Sequence, residues 1–294
     1  MAGANEIKAR IDGIRETKKI TDAMYMISSA KMRKALRELD GSTPYFEALK
    51  QSIAALLRCF PQTKNRYIAA SDAEAKPHRN HGILLITSDR GLAGAYNHEA
   101  ILACQRHAAQ YAKTTVFIIG EYGRQYYLNH GLDFAREFHH SASHPGMTEA
   151  RRICTELLER YDAAELDDIT VIYTDFTANK PTVVRTITLL PLRKATLVED
   201  CGNTPSAEKE FLPDPETVLD GVIPSYLAGF IYGSLVESYC SEQQSRMNAM
   251  KSAGSNADEM LKELSIQYNK LRQAAITAEI TEISAGARAQ QQNG

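Results

Sequence analysis

The stretch SRMNAMKSAGSNADEMLKELSIQYNKLRQAAITAEITEI, residues 245–283, reads as helix almost to the end of the chain. A helix of that length limits the possible folds more than any motif in the sequence. Residues 247, 250, 254, 257, 261, 264, 268, 271, 275 and 278 (Met, Met, Gly, Ala, Leu, Leu, Tyr, Leu, Ala, Ala) alternate steps of three and four. Sustained over more than four heptads, this is a coiled-coil seam, weakened by its small and polar members. The N-terminus keeps the same rhythm at 7, 11, 14, 18, 21, 25, 28, 32, 35 and 39 (Ile, Ile, Ile, Lys, Thr, Tyr, Ser, Met, Ala, Leu). Each helix is expected to need the other. A helix over 222–288 would run roughly 100 Å at 1.5 Å per residue, against about 30–40 Å for an α/β domain of this size. Most of it is expected to project beyond its own domain.

The outer faces sharpen the reading. A bare helical hairpin turns charged residues to water, but Ile20, Met24 and Ile27 form a second apolar stripe near one end of the chain, and Ile276, Ile280 and Ile283 do so near the other. One partner helix covers only one stripe, so something else is expected to surround the tip.

Between the terminal helices the pattern changes. GILLIT, TTVFII, DITVIYTDF and TVVRTITLLPL read as strands, and NHEAILACQRHAAQYA, GEYGRQYYLNHG and TEARRICTELLERY as helices. Strands alternating with helices favour a partly parallel sheet covered by helices, with the last two strands, joined by TANKP, as a hairpin. The polar segments PQTKNRYIAASDAEAKPHRNH and EDCGNTPSAEKEFLPDPE read as surface connections. The divisions are 1–58 helical, 59–213 α/β with its linkers, and 214–294 helical.

Charge and cysteines exclude several classes. With 34 basic against 36 acidic side chains, nothing global points to nucleic acid or to a strongly anionic surface. Five scattered cysteines without a C-x-x-C pair argue for a reducing compartment and against a disulfide framework or zinc ribbon. The N-terminus lacks the apolar core of a signal peptide. The longest apolar stretch, GVIPSYLAGFIYGSLV, is short for a bilayer and contains a proline. A cytoplasmic protein is the default expectation.

Few residues suggest chemistry. The chain has no G-x-x-x-x-G-K-[ST], H-E-x-x-H, G-x-S-x-G or EF-hand loop. SDRGLAGAYN, residues 88–97, follows a strand and opens a helix, where glycine-rich turns often hold anions. Gly91 and Gly94 miss the G-x-G-x-x-G spacing, so a structural turn with Ser88 or Asp89 helping to cap is the preferred reading. His139, His140 and His144 could suggest a metal, but solvated loop histidines fit better, with Pro145 breaking any helix. Lys31, Arg33, Lys34 and Arg37 form either a solvated helix face or a positive collar for an acidic partner.

ETKKITDAMYMISSAKMRKA, SDRGLAGAYN, IPSYLAGFIYGSLVES and the terminal RMNAMKSAGSNADEMLKELSIQYNKLRQAAITAEITEISAGA, in that order, closely resemble the gamma subunit of F-type ATP synthase, in its bacterial form. The resemblance implies a Rossmann-like α/β domain carrying a long antiparallel coiled coil formed by the N- and C-terminal helices. It implies a rotating shaft without a nucleotide site, threaded into a ring of alpha and beta subunits and seated with the epsilon subunit on the membrane ring of c subunits. No cofactor is implied. By resemblance, Arg272, Gln273, Thr277 and Glu282 meet loops of beta, and Ile280 and Ile283 belong to the same sheathed end. Met24 and Arg246 match coupling-sensitive positions, and Lys31, Arg33 and Lys34 face an acidic segment of beta. A passive coiled-coil adaptor and a nucleotide-dependent enzyme using Ser88–Asn97 are the competing readings. Two departures stand out: Gly254 within the long helix, costing about 1 kcal/mol relative to Ala, and Ala93 and Ala95 in the middle loop where the family more often has Cys and Gly. No long cysteine-bearing insertion of the chloroplast kind is present, and Cys201 has no neighbouring partner in sequence, so thiol regulation is not expected.

Overall fold

The computed structural model describes residues 2–63, 65–69, 80–177, 182–194, 197, 212 and 214–292, with side chains from 5 to 285. Much of both expected surface connections, most of the hairpin loop and Cys201 lie outside the described residues. The elements are α1 (Ala2–Cys59), β1 (Asn80–Ile86), α2 (Tyr96–Ala108), β2 (Lys113–Ile119), α3 (Glu121–Asn129), α4 (Met147–Asp162), β3 (Asp168–Asp175), β4 (Val183–Leu190) and α5 (Pro215–Gln292). The chain divides into two compact units. Residues 1–28 and 246–294 make one, and 29–245 the other.

In the larger unit the sheet order is β2-β1-β3-β4, with β1 parallel to β2 and β3, and β4 antiparallel to β3. The hairpin and the partly parallel sheet follow the sequence pattern. Both faces of β1 are apolar because both are covered, as a doubly wound sheet requires. Leu84 and Ile86 join Phe117, Ile119, Ile169 and Val171 in a core closed by α1, α4 and α5. Ile83 and Leu85 point the other way, with Val116, Ile118 and Ile172, toward Ala100, Ile101 and Cys104 of α2 and Tyr127 of α3. This is a Rossmann-like arrangement.

The apolar stretch 221–236 is core of this unit: Ile223, Leu227, Ile231, Leu235 and Val236 are buried. By length and composition α5 could cross a membrane, but half of its most apolar window is covered within the fold. Pro44 sits inside α1 without breaking it. Ser42 and Thr43 turn their hydroxyls back onto the Leu39 carbonyl just upstream, the back-bonding that these residues make within helices.

In the smaller unit α1 and α5 run antiparallel. Lys18 pairs with Asp258, while four residues further along α1, Asp22 lies 3.7 Å from where a Cβ on Gly254 would stand. Ascending one helix descends the other. Buried Ile11, Ser28, Met250, Gly254, Ala257 and Leu264 mark the seam, flanked by half-buried Ile7, Ile14, Lys18, Thr21, Met247, Leu261 and Tyr268. The three-four rhythm identified all of these. At 24–25 it misassigns the face: Met24 is half-buried and Tyr25 is 39% exposed. Met24 therefore leaves the outer stripe, where Ile20 and Ile27 remain exposed.

Candidate functional site

The register of the helix pair fixes where it ends. With Lys18 opposite Asp258, the start of α1 at Ala2 reaches to about residue 274 of α5. Beyond that point α5 continues to Gln292, roughly 25 Å of helix at 1.5 Å per residue, with no α1 beside it. Every described side chain from 276 to 285 is exposed. Leu271 and Ala278, expected in the seam, are exposed for this reason, since one lies opposite the first turns of α1 and the other past its start.

That end carries most of the residues singled out in the sequence. Ile276, Ile280 and Ile283 are 47%, 59% and 72% exposed, a stripe at spacings of four and three along one side of an unpaired helix. Arg272, Gln273, Thr277 and Glu282 are exposed around it. Thr277 donates its hydroxyl to the Gln273 carbonyl at 2.9 Å, and Thr281 repeats the pattern to Thr277 at 2.8 Å. Their hydroxyl protons are thereby used locally, leaving methyls and lone pairs for a neighbour. Arg246 is buried, at 8% exposure.

The basic cluster belongs to the larger unit. Lys31, Arg33, Lys34 and Arg37 are exposed on α1. Arg33 donates to Ser29 Oγ at 2.9 Å and Lys34 lies 3.8 Å from Glu38. At that exposure such contacts leave the charges available to a partner.

The turn at 88–97 has a structural role. Gly94 adopts φ 57° and Leu92 φ 63°. Ser88 and Asn97, both buried, hydrogen-bond each other, with the Ser88 amide also donating to Asn97 Oδ1 at 2.9 Å. The expected capping of α2 by Ser88 or Asp89 does not occur, because Ala95 takes the cap position without a side-chain bond. Asp89 instead accepts the Glu121 amide at the start of α3, the Ala142 and Ser143 amides, and the Ser141 and Ser143 hydroxyls. Burial opposes its ionisation, but these donors overcome that and hold its carboxyl below the usual range.

His140 also departs from expectation. It is buried, at 3% exposure, with Nδ1 2.5 Å from Glu149 and Nε2 3.2 Å from Glu156 of α4. The acidic partners are distant in sequence, which is why the local pattern HHSASHP could not reveal them. Among the described residues no group of three or more potential ligands could hold a metal ion.

Two features of the larger unit carry no sequence signal. Glu237 of α5 faces Asp175 of β3. Burial, then the Asp175 charge and hydrogen bond, push its pKa up to about 7 against the opposing Arg185, which is itself held by Asp175 at 2.6 Å. A cleft of about 660 Å³ opens between α1, β4 and α5, lined by Phe46, Thr186, Thr188, Tyr226, Phe230 and Glu237 among others.

Paired terminal helices, a doubly wound sheet unit encoded between them and an apolar stripe left bare define a coiled-coil α/β chain of the kind that works inside an assembly. Comparison with known proteins is specific. The ATP synthase family model matches residues 3–290. The ATP synthase gamma chain of Acetivibrio thermocellus is 38% identical across 98% of this chain and 99% of its own length. That of Caldanaerobacter subterraneus is 37% identical across 97% and 99%. A sodium-ion-specific ATP synthase gamma chain from Acetobacterium woodii is 31% identical across 97% of each. In structure, a chain of the Euglena gracilis mitochondrial ATP synthase OSCP/F1/c-ring assembly aligns with TM-score 0.62 at 16% identity, covering 98% of this chain and 94% of that one, which supports the fold. This chain belongs to the ATP synthase gamma chain family.

Proposed function

We propose that this chain is the non-catalytic central rotor shaft of an F-type ATP synthase, coupling ion-driven rotation of the c ring to sequential conformational change at catalytic sites of the alpha and beta subunits. Family membership supports the role. The single observation that carries it is the bare, isoleucine-striped end of α5, which water alone would disfavour. A shaft without three-fold symmetry, placed in a three-fold ring, touches each beta subunit differently. Such a partner shifts a conformational equilibrium only by its difference in contact energy between states, tenfold in nucleotide affinity per ~1.4 kcal/mol.

In this reading Ile280 and Ile283 are sheathed by the ring, and Arg272, Gln273, Thr277 and Glu282 make the few directional contacts with beta. Lys31, Arg33 and Lys34 face an acidic segment of beta, and Met24 and Arg246 stand where coupling is sensitive. The segment 59–213 with the lower helices meets epsilon and the c ring, so membrane contact is indirect and at the cytoplasmic face. A passive adaptor would turn charge outward where Ile276, Ile280 and Ile283 stand. The test is truncation after residue 264 in the reconstituted complex. Torque and ATP-driven ion pumping should fall while the circular dichroism of the sheet unit persists. Full pumping by the truncated complex would overturn the proposal.

A further inference from the structure

A second cluster lies in the larger unit, apart from every residue given a role above. His81, the second residue of β1, is 1% exposed, and its Nδ1 is hydrogen-bonded to Asp168, its register partner on β3. Its ring stacks flat on Tyr111, with centroids 3.8 Å apart and planes within 2°. The Nδ1–H donates to the carboxylate, so the free lone pair is on Nε2. That nitrogen faces Nε2 of His107, in the last turn of α2, at 3.1 Å.

We propose that His81 and His107 form a binding site for a divalent transition-metal ion of the class that takes imidazole ligands, with Zn²⁺ as the test ion. Two imidazole nitrogens held 2.0–2.1 Å from one ion at 90–109° stand about 2.9–3.4 Å apart, and the observed separation, now spanned by a hydrogen bond between the rings, falls in that range. A ligating histidine characteristically gives its other N–H to a carboxylate, which fixes tautomer and ring orientation. Asp168 does this for His81, and Tyr111 holds the ring plane.

Burial first, and then His81, lower the His107 pKa against the opposing Asp168 charge. The carbonyl end of α2 and the Asp168 carboxylate both favour positive charge at this point. Ion binding moves the proton of His107 from Nε2 to Nδ1 through solvent, leaving the protein's charge unchanged. His107 is only half-buried, which gives the ion an entry path and water to complete its coordination. The bound ion would tie the end of α2 to the β1–β3 ladder.

The experiment uses the full-length chain without a histidine tag. Calorimetric titration with Zn²⁺ should show one ion per chain, and free ion at a hundred times its Kd should raise the folding equilibrium constant of the stabilised unit about a hundredfold. Co²⁺ should report tetrahedral nitrogen ligation by visible absorption. His107→Ala should abolish binding, His107→Cys should restore part of it, and Asp168→Asn should weaken it 10–100-fold. Loss of folding in an Asp168 or His81 variant would not blur the result, since His107→Ala at a half-exposed position carries the test. Unchanged binding in His107→Ala, loss in His144→Ala instead, or no binding by the folded chain at millimolar Zn²⁺ would each overturn the proposal.

Discussion

Replacing Gly229 by alanine tests the packing of α1 on α5 directly, because two effects of known size oppose each other there. A Cβ built on Gly229 would stand 2.0, 2.3 and 2.6 Å from Cδ1, Cε1 and Cγ of Phe46. The last atom is the root of the ring, so swinging a distal edge cannot clear the clash. Phe46 is itself hemmed by Tyr45, at 5.2 Å between ring centroids, and by Tyr232 at 6.5 Å. Overpacking of this kind costs about 1–3 kcal/mol, whereas glycine to alanine in a helix interior gains about 1 kcal/mol. The net expectation is a loss of up to about 2 kcal/mol.

Elsewhere on the same helix the clash is absent. A Cβ at Gly233 meets nothing within 4 Å, and at Gly254 the nearest atom is 3.7 Å away, so alanine at either should stabilise by about 1 kcal/mol. The decisive measurement is a double-mutant cycle with Phe46→Ala, followed by urea unfolding and far-ultraviolet circular dichroism. With the ring gone, Gly229→Ala should turn from destabilising to stabilising, a coupling of about 1–3 kcal/mol. Equal effects of Gly229→Ala in both backgrounds would refute the close approach of the two helices.

Ile280→Asp and Ile283→Asp should leave the chain's own melting temperature unchanged, because both side chains are exposed. Each should weaken co-purification with alpha and beta by the lost burial of one isoleucine, about 1–2 kcal/mol or up to some thirtyfold in affinity; unaltered assembly would count against enclosure of this end. The raised pKa of Glu237, about 7 against 4.5 for the free side chain, means that the folded state holds its proton more tightly than the unfolded state. Its contribution is fully present below pH 4.5 and is lost as pH rises through about 7. Glu237→Gln should therefore be more stable than the parent at pH 8 by about 1–2 kcal/mol once partial solvent screening is allowed for, and lose that advantage by pH 4.5; equal pH dependence in both would refute the burial argument. Burial pushes the thiols of Cys104, Cys154 and Cys240 up to about 11, 12 and 12. At pH 8 half-buried Cys59 should alkylate first among these four by peptide mass spectrometry, and rapid labelling of Cys154 or Cys240 would contradict the packing.

The sequence revealed those features that repeat along the chain. Seam positions from Ile7 to Tyr268 followed from a period of three and four, and strands such as GILLIT from continuous apolar runs. The misreadings all needed information from another element. Tyr25 and Met24 differ by one residue, or about 100° around a helix, and only the facing helix decides which is covered. His140 read as solvated because Glu149 and Glu156, which enclose it, follow on α4. Asp89 read as a local cap but bonds across to 121 and 141–143. The Glu237–Asp175–Arg185 cluster joins a helix to a hairpin and leaves no local pattern at all.

The residues at the bare end suit a moving contact for a physical reason. Burial of Ile276, Ile280 and Ile283 is non-directional, so a surrounding sleeve gains similar free energy whichever of its equivalent sides the stripe faces. That term holds the helix in place without choosing an angle. Ala274, Ala275, Ala278, Ser284 and Ala285 add little volume, so rotation need not force bulky side chains past a wall. Hydrogen bonds and charge pairs are directional, and Arg272, Gln273, Thr277 and Glu282 are the groups placed to make them. On the proposed reading, angle-dependent energy therefore resides in a few polar side chains and angle-independent energy in the isoleucines. Removing a polar group should alter coupling between rotation and nucleotide affinity more than assembly, and removing an isoleucine the reverse. Parallel assays of pumping efficiency and subunit affinity on Gln273→Ala and Ile280→Ala would separate the two, and equal effects on both readouts would show that the division is false.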